Sequence, residues 1–298
     1  MGSLQLITSQ IPSNAKIMIL GLAKDVALQI VNEIESLRAS FSDFSQVGFL
    51  IIESDSSDST LDKLRFLESA IPNFSYITLG QLSNEIPNRV DRISHCRNVY
   101  LSEFESNSNF SAYDYVAVAD LDGVNKDLTR EAVRSCWVRS DWAACAANQS
   151  APYYDVYALR HETWSPNDCW IYEAELRASG LNPVSSREKA IYSRQIVIPQ
   201  NSPWLEVDSA FGGLCIYRKS AIADCRYSSY TSTGVPVCEH VEFHAQVKSK
   251  GGKIFINPRL VNSGWNLHNS SKKASKYLKR RIKLLFWLIS PGFRRRGF

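Results

Sequence analysis

Nowhere does the 298-residue chain contain an apolar run approaching the ~20 residues that cross a bilayer, so no membrane-spanning helix is expected. Its first residues, MGSLQLITSQIPSNAK, lack the charged stretch followed by an apolar one that marks a secretory leader. Met1-Gly2-Ser3 begins like a myristoylation signal, but Leu6 stands where that signal needs Ser or Thr. The seven cysteines (Cys96, Cys136, Cys145, Cys169, Cys215, Cys225 and Cys238) are odd in number and include no C-x-x-C pair. That argues against a zinc site or a disulfide framework and predicts reduced thiols in a cytoplasmic protein. The Asn-x-Ser triplets at Asn73, Asn109, Asn148 and Asn269 then read as chance matches. No internal repeat is present, and Ser54–Ser59 is the one low-complexity stretch. Absent too is a Gly-rich phosphate loop after the first strand, where GLAKD is too short.

What is there is a globular composition. The chain is 44% apolar and 21% charged, enough to bury one large α/β domain or two small ones. Seven Trp, 13 Tyr and 13 Phe suit a protein that lines a pocket. The net charge of +4 hides an asymmetry: residues 272–298 hold ten Lys or Arg and no acid. Removing those ten from the 34 basic residues leaves 24 against 30 acids, so the body of the chain is negative. A negative body argues against a nucleic-acid partner, which would require basic surface across the fold.

Ala15 to Leu22 is a continuous apolar run of strand length, followed by Val26, Ile30, Ile34 and Leu37 at helical spacing. Gln46 to Glu53 reads as a second buried strand, Thr60 onward as a helix, Phe74 to Leu79 as a third strand, and Arg89 to Phe104 as a helix. Tyr113 to Ala119 reads as a fourth strand, ending at Asp120-Leu121-Asp122-Gly123. Buried strands alternating with helices predict βαβ units and a mostly parallel, Rossmann-like sheet, whose ligands bind outside the strands' carboxyl ends. The acidic clusters at 53–58 and 120–122 both follow strands, which predicts that they share one rim. In the second half, short strands are expected at Trp142–Ala147, Tyr154–Leu159, Ala210–Tyr217 and Lys253–Asn257. Residues 161–205, polar, aromatic and interrupted by four prolines, read as a lid or substrate loop, or as partly disordered.

Asp120 and Asp122 are the most informative pair. Two carboxylates at i and i+2 just past a buried strand can share a divalent cation if the chain turns, and Gly123 permits the turn. An isolated Asp-x-Asp is more often a solvated turn; the preceding strand shifts that balance. Glu53 and Asp55 face a similar choice, since Ser/Asp-rich segments also cap helices. Arg97 can be a surface ion pair or a ligand contact. In CEHVEFH (238–244), Glu239, His240, Glu242 and His244 fall at helical spacings that face several of them one way, or form a solvated face. His240 and His244 lack the intervening Glu directly after the first His that a metalloprotease helix needs. Gly212-Gly213 reads as a tight bend or bulge.

The segments FLIIESDSSDST, RISHCRNVYL (92–101), DYVAVADLDGV (114–124), VDSAFGGLCIYR (207–218) and CEHVEFH, in this order, resemble nucleotide-sugar glycosyltransferases of the A-type fold. YYDVYALR (153–160) and AFGGLCIYR are similar to the branch containing fungal capsule-associated mannosyltransferases and their bacterial relatives. The resemblance covers roughly residues 15–268. It implies a single catalytic domain over 15–268, with a nucleotide half about 15–125 and an acceptor half about 126–268, between an N-terminal arm (1–14) and a tail (269–298). It further implies that Glu53 and Asp55 contact the donor's base and ribose, and that Arg97 and Asn98 lie near its ribose or phosphate. Asp120 and Asp122 would hold Mn²⁺ or Mg²⁺ against the diphosphate, with His268 as a third ligand. Asp208 would be a catalytic residue beside the Gly pair on the acceptor side, and Glu239, or His240 where relatives often carry a second acid, would be the base. The implied activity is metal-dependent transfer of a sugar, first mannose from GDP-mannose and otherwise a UDP-linked donor, to a glycan or lipid-linked glycan hydroxyl in capsule or lipopolysaccharide synthesis. A non-catalytic nucleotide- or sugar-binding module and a nucleotidyltransferase are the alternatives.

Residues 272–289 place Leu278, Ile282, Leu285 and Ile289 on one helical stripe and Lys272, Lys276, Lys279 and Lys283 on another. A basic amphipathic helix with aromatic residues reads as an anchor on an anionic membrane surface, here the inner face of the cell membrane, or as a helix docked on the domain or a dimer contact.

Overall fold

The computed structural model describes residues 10–265. Eight strands form one mixed sheet in the order β3-β2-β1-β4-β7-β5-β8-β6. The strands are β1 (Lys16–Ala23), β2 (Gln46–Glu53), β3 (Phe74–Thr78), β4 (Tyr115–Asp120), β5 (Ala144–Gln149), β6 (Leu205–Val207), β7 (Leu214–Arg218) and β8 (Ile254–Ser263). The helices are α1 (Ile30–Ser40), α2 (Thr60–Ala70), α3 (Arg89–Ser106), α4 (Arg130–Arg134), α5 (Cys169–Ala178), α6 (Pro183–Ala190), α7 (Lys219–Ile222) and α8 (Glu239–Ser249).

The first four strands in space are parallel, as the buried apolar runs require. Side chains alternate across the sheet, so β1 sends Ile17 and Ile19 to one face and Met18 and Leu20 to the other. Ile30, Ile34 and Leu37 of α1 and Leu64 and Leu67 of α2 cover the first face. Tyr100, Leu101 and Phe104 of α3 and Phe243 and Val247 of α8 cover the second. Each helix therefore buries one stripe, and α3 comes to lie against α8. Antiparallel β7 enters between β4 and β5, and β8 runs parallel to β5 with β6 antiparallel on the edge.

Three expectations are corrected. Tyr154–Leu159 is a turn rather than a strand, because its polar groups bond sideways: Asp155 accepts from Gly212 N–H. Residues 161–205 are not a plain loop: they contain α5 and α6, which pack with Val156 around a small core of Cys169, Leu176, Ala190 and Ile191. Asp168 and Asn182 cap these helices, each accepting from two backbone N–H groups of the first turn. Finally, α1 starts at Ile30 and not at Val26, because Val26 and Ala27 donate their N–H groups to Thr60 and Asp58 instead. All seven cysteines are buried and unbridged. Among the described residues no helix is long and apolar enough to cross a membrane.

Candidate active site

The carboxyl ends of β1, β2 and β4 open into a cleft of about 520 Å³, closed on its other side by the 154–158 turn, Phe211 and the first turn of α8. Six of the residues singled out in the sequence line it: Asp55, Arg97, Asp120, Asp122, Glu239 and His240.

Asp55 follows β2 with a left-handed backbone (φ 61°). Its Oδ1 accepts from Ser83 N–H at 2.8 Å, whereas buried Oδ2 has no hydrogen-bond partner and lies 3.6 Å from Arg92 Nε. Burial pushes the carboxyl up, but the bonds from Ser83 and Ser54 and the charge of Lys24 together outweigh it and hold the group below its ordinary value.

Arg97, on the inner face of α3, is almost wholly buried. It donates through Nε to Glu239 Oε1 (3.2 Å) and through Nη1 to the Tyr100 hydroxyl (3.0 Å), and Nη2 lies 3.7 Å from Asp120 Oδ1. The rings of Phe211 and Tyr227 flank the guanidinium at 5.2 and 5.5 Å. Asp120 sits at the end of β4, open to the cleft. Burial, reinforced by the charges of Asp122, Asp155 and Glu239 and opposed by Arg97, pushes its carboxyl up to about 7. Asp122 is exposed on the turn that Gly123 makes with φ 92°.

The chemistry of this donor set suits a divalent cation. Five carboxylates (Asp55, Asp120, Asp122, Asp155 and Glu239) line the cleft together with Lys24, Arg89, Arg92 and Arg97, and Asp120 and Asp122 offer the hard oxygens that a divalent cation takes. Asp120 and Asp122 are the residues able to hold such an ion. Among the described residues no three His, Cys, Asp or Glu side chains form a closed metal cage, so the remaining ligands would have to come from water or a ligand's oxygens.

Glu239 and His240 open α8. Glu239 carries Arg97 on Oε1, while the Cys238 thiol contacts Oε2 at 3.6 Å. His240 is 2% exposed and stacks on Phe211 with ring centroids 4.0 Å apart, and neither ring nitrogen has a hydrogen-bond partner. Burial, and then the positive charge of Arg97, hold the imidazole well below its ordinary pKa, so it is neutral. One turn later His244 is a core residue, bonded to Ser209 and Tyr217 through its two nitrogens.

Three other residues lie away from the cleft. Glu53 is turned into the loop after its strand, accepting from Ser56 N–H and the Thr78 hydroxyl. Asn98 bonds both backbone groups of Tyr227, so it holds the ring that flanks Arg97. Asp208 is exposed and paired with Lys248. His268 and the basic segment 272–298 lie outside the described residues.

Sequence reasoning assigned no role to Asp155, Tyr154, Tyr157 and Phe211, which also line the cleft. The one local signal was an acid set among aromatic residues in YYDVYALR.

No protein-family profile matches the chain, and no curated protein does. Solved structures do. The mannosyltransferase PcManGT from Pyrobaculum calidifontis, in complex with GDP-Man and Mn²⁺, matches 92% of this chain and 63% of its own at 10% identity, with a TM-score of 0.50. S. aureus TarS 1–349 matches over 93% of this chain and 66% of its own at 12% identity and a TM-score of 0.46. The glucosyl-3-phosphoglycerate synthase from Mycobacterium tuberculosis, in complex with UDP, matches over 92% and 79% at 12% identity and a TM-score of 0.42. The chain thus spans 63% of the length of the Pyrobaculum protein. At such identity the likeness is one of fold: a single α/β domain with a mostly parallel sheet flanked by helices.

Proposed function

We propose that the protein is a metal-dependent glycosyltransferase that moves a sugar from a nucleotide donor to a hydroxyl of a glycan or lipid-linked glycan. The observation that carries this reading is the meeting, in one cleft at the parallel strands' carboxyl ends, of Asp120 and Asp122 with the Arg97–Glu239 pair and the unpartnered His240. GDP-mannose is the first donor to test, on the sequence resemblance and on the ligand of the Pyrobaculum structure.

Each residue has a part in this scheme. Asp55, whose Oδ2 accepts no hydrogen bond and lies 3.6 Å from Arg92 Nε, is the carboxylate at the β2 end of the cleft that a donor N–H or O–H of the nucleoside would meet. Asp120 and Asp122 hold the cation, which when bound neutralises the charge that gathers on a departing nucleoside diphosphate. Glu239 and the two flanking rings fix the Arg97 guanidinium, whose positive charge faces Asp120. His240 lines the cleft beside Glu239 with neither ring nitrogen hydrogen-bonded; to take the proton from the acceptor hydroxyl, its buried nitrogens would have to be uncovered when the acceptor binds. Glu239 already carries Arg97, so we assign it to positioning rather than to the proton.

Calorimetric titration of UDP, GDP, CDP and CMP, with Mn²⁺ and again with EDTA, tests the reading. Binding of one nucleoside diphosphate that disappears with EDTA and in Asp122→Ala is the expected result. No binding of any diphosphate overturns it, and CMP binding without metal points to a metal-independent transferase. Binding without turnover on any glycan acceptor favours the non-catalytic module. We also propose that residues 272–298 hold the protein on an anionic membrane, next to a lipid-linked acceptor. Equally poor sedimentation of the full chain and of residues 1–271 with anionic vesicles overturns that idea.

A further inference from the structure

Asp155 is a cleft-lining carboxylate ordered entirely by backbone. Its Oδ2 accepts from Gly212 N–H at 2.9 Å and its Oδ1 from Ala158 N–H at 3.4 Å. A carboxylate has about four lone-pair positions, so this arrangement aims the group and leaves acceptor capacity toward the cleft. Tyr154 and Tyr157, on either side of it in sequence, line the same space. An aimed carboxylate beside aromatic rings is suited to a ligand that combines hydroxyl groups with apolar C–H faces, which is the chemistry of a sugar ring.

The Gly212 peptide that orders Asp155 is itself clamped. Its carbonyl accepts from Gln149 Nε2 (3.1 Å) and Asn262 Nδ2 (2.8 Å). Asn262 Nδ2 also donates to Asn125 Oδ1 (2.9 Å), and Asn125 Nδ2 donates to the carbonyl of Asp120 (2.8 Å). Gln149, Asn125 and Asn262 are completely buried. Apart from Gln149 Oε1, which has no hydrogen-bond partner, these side chains are bonded to one another and to backbone, and such buried networks rigidify the elements they join. The carboxylates of Asp120 and Asp155, from segments far apart in sequence, are therefore mounted on one frame. They are near enough for the charge of Asp155 to act on Asp120.

We infer that Asp155 is a specificity-determining residue that accepts hydroxyl groups of the donor's sugar, at a distance from the Asp120 end of the cleft set by the Gln149–Asn262–Asn125 frame. The inference rests on the proposed transferase reading and deepens it. A diphosphate held at Asp120 carries its sugar on the outer phosphate, and Asp155 occupies the wall beside that end of the cleft.

The experiment titrates GDP, GDP-mannose and GDP-glucose, in the presence of Mn²⁺, into the full-length protein and its Asp155→Asn variant. UDP, UDP-glucose and UDP-galactose replace them if uridine is the preferred base. Asparagine keeps an oxygen for the Gly212 N–H, and near-ultraviolet circular dichroism checks that the fold is retained. A hydroxyl bonded to a carboxylate predicts a loss of about tenfold or more in sugar-nucleotide affinity, with GDP affinity unchanged and discrimination between the two epimers reduced. Asp155→Glu, which moves the carboxylate, should show the same split. Equal weakening of GDP and GDP-mannose would overturn the inference and move Asp155 to the cation set. Unaltered affinities in both variants would overturn it as well. If the wild-type chain binds GDP or UDP but gains nothing from an attached sugar, this inference fails while the transferase reading stands. If it binds no nucleotide, the transferase reading itself fails first.

Discussion

Glu33 accepts two hydrogen bonds from a single residue: Asn125 donates its backbone N–H at 3.0 Å and its side-chain amide at 2.8 Å, both to Oε1. Glu33 lies on the buried face of α1 and Asn125 lies just past the Asp120–Asp122 turn, so this pair ties the turn to the helix layer. The contact buries the carboxyl of Glu33, which is 2% exposed, and this has a consequence for stability.

Burial raises the Glu33 carboxyl above its ordinary value of 4.5; the bonds from Asn125 only partly offset this, and the charge of Asp122 adds to the rise. The folded state therefore binds this proton more tightly than the unfolded state. Its contribution to stability is fully present below pH 4.5 and is lost as pH rises through the folded value. Glu33→Gln keeps the Oε1 acceptor and removes the titration. Urea unfolding from pH 4 to 8 should show the variant gaining on the wild type as pH rises, then running parallel to it. A gap that stays constant with pH contradicts the assignment.

Arg97 and Glu239 form a buried ion pair 3.2 Å apart. Breaking such a pair from one side costs about 3–5 kcal/mol, because the remaining charge is left without compensation. Arg97→Met should show this loss by chemical denaturation. Adding Glu239→Gln should restore part of it, so that the double variant is more stable than Arg97→Met alone. Strict additivity of the two changes would mean that the pair is not coupled.

Gly213 has φ 82°, and a Cβ added there would lie 2.6 Å from the Tyr154 hydroxyl and 2.8 Å from Val124 Cγ1. Gly80 has φ 61° with nothing within 4 Å. Gly80→Ala should therefore cost only the left-handed backbone term of about 1–2 kcal/mol. Gly213→Ala adds about 1–3 kcal/mol of overpacking and should displace Tyr154 in the cleft. Comparing the two urea midpoints separates the terms, and equal midpoints would rule out the overlap.

The His240 assignment predicts a split between binding and turnover. His240→Asn should leave donor affinity within about twofold and lower kcat by about 10²-fold or more, the usual range for a proton-transfer residue. Glu239→Gln, which loosens Arg97, should weaken the donor as well. A His240 variant with unchanged kcat would return the base to Glu239.

Much of the first half was legible in the sequence. β1, β2 and β4 are apolar runs buried on both faces, and the helices between them carry one apolar stripe each. Such patterns are local, set by side-chain alternation and the helical repeat, and they implied a parallel sheet with Asp55, Asp120 and Asp122 on one rim. The α5–α6 hairpin was not legible, because its apolar residues serve a small core of their own and its caps lie among prolines and polar residues.

Tertiary structure decided what local pattern could not. Arg97 and Glu239 stand 142 positions apart and meet because α3 and α8 cover the same face of the sheet. His240 and His244 look alike in the sequence, yet one lines the cleft and the other is consumed by Ser209 and Tyr217. Asp155 enters the cleft and Asp208 leaves it, because the insertion of β7 beside β4 sets where the Gly212 turn lies and therefore which carboxylate it can hold. The strands and their acidic ends follow from short-range periodicity. The composition of the site follows from strand order and helix layering, which bring together residues whose separation in sequence carries no periodic signal.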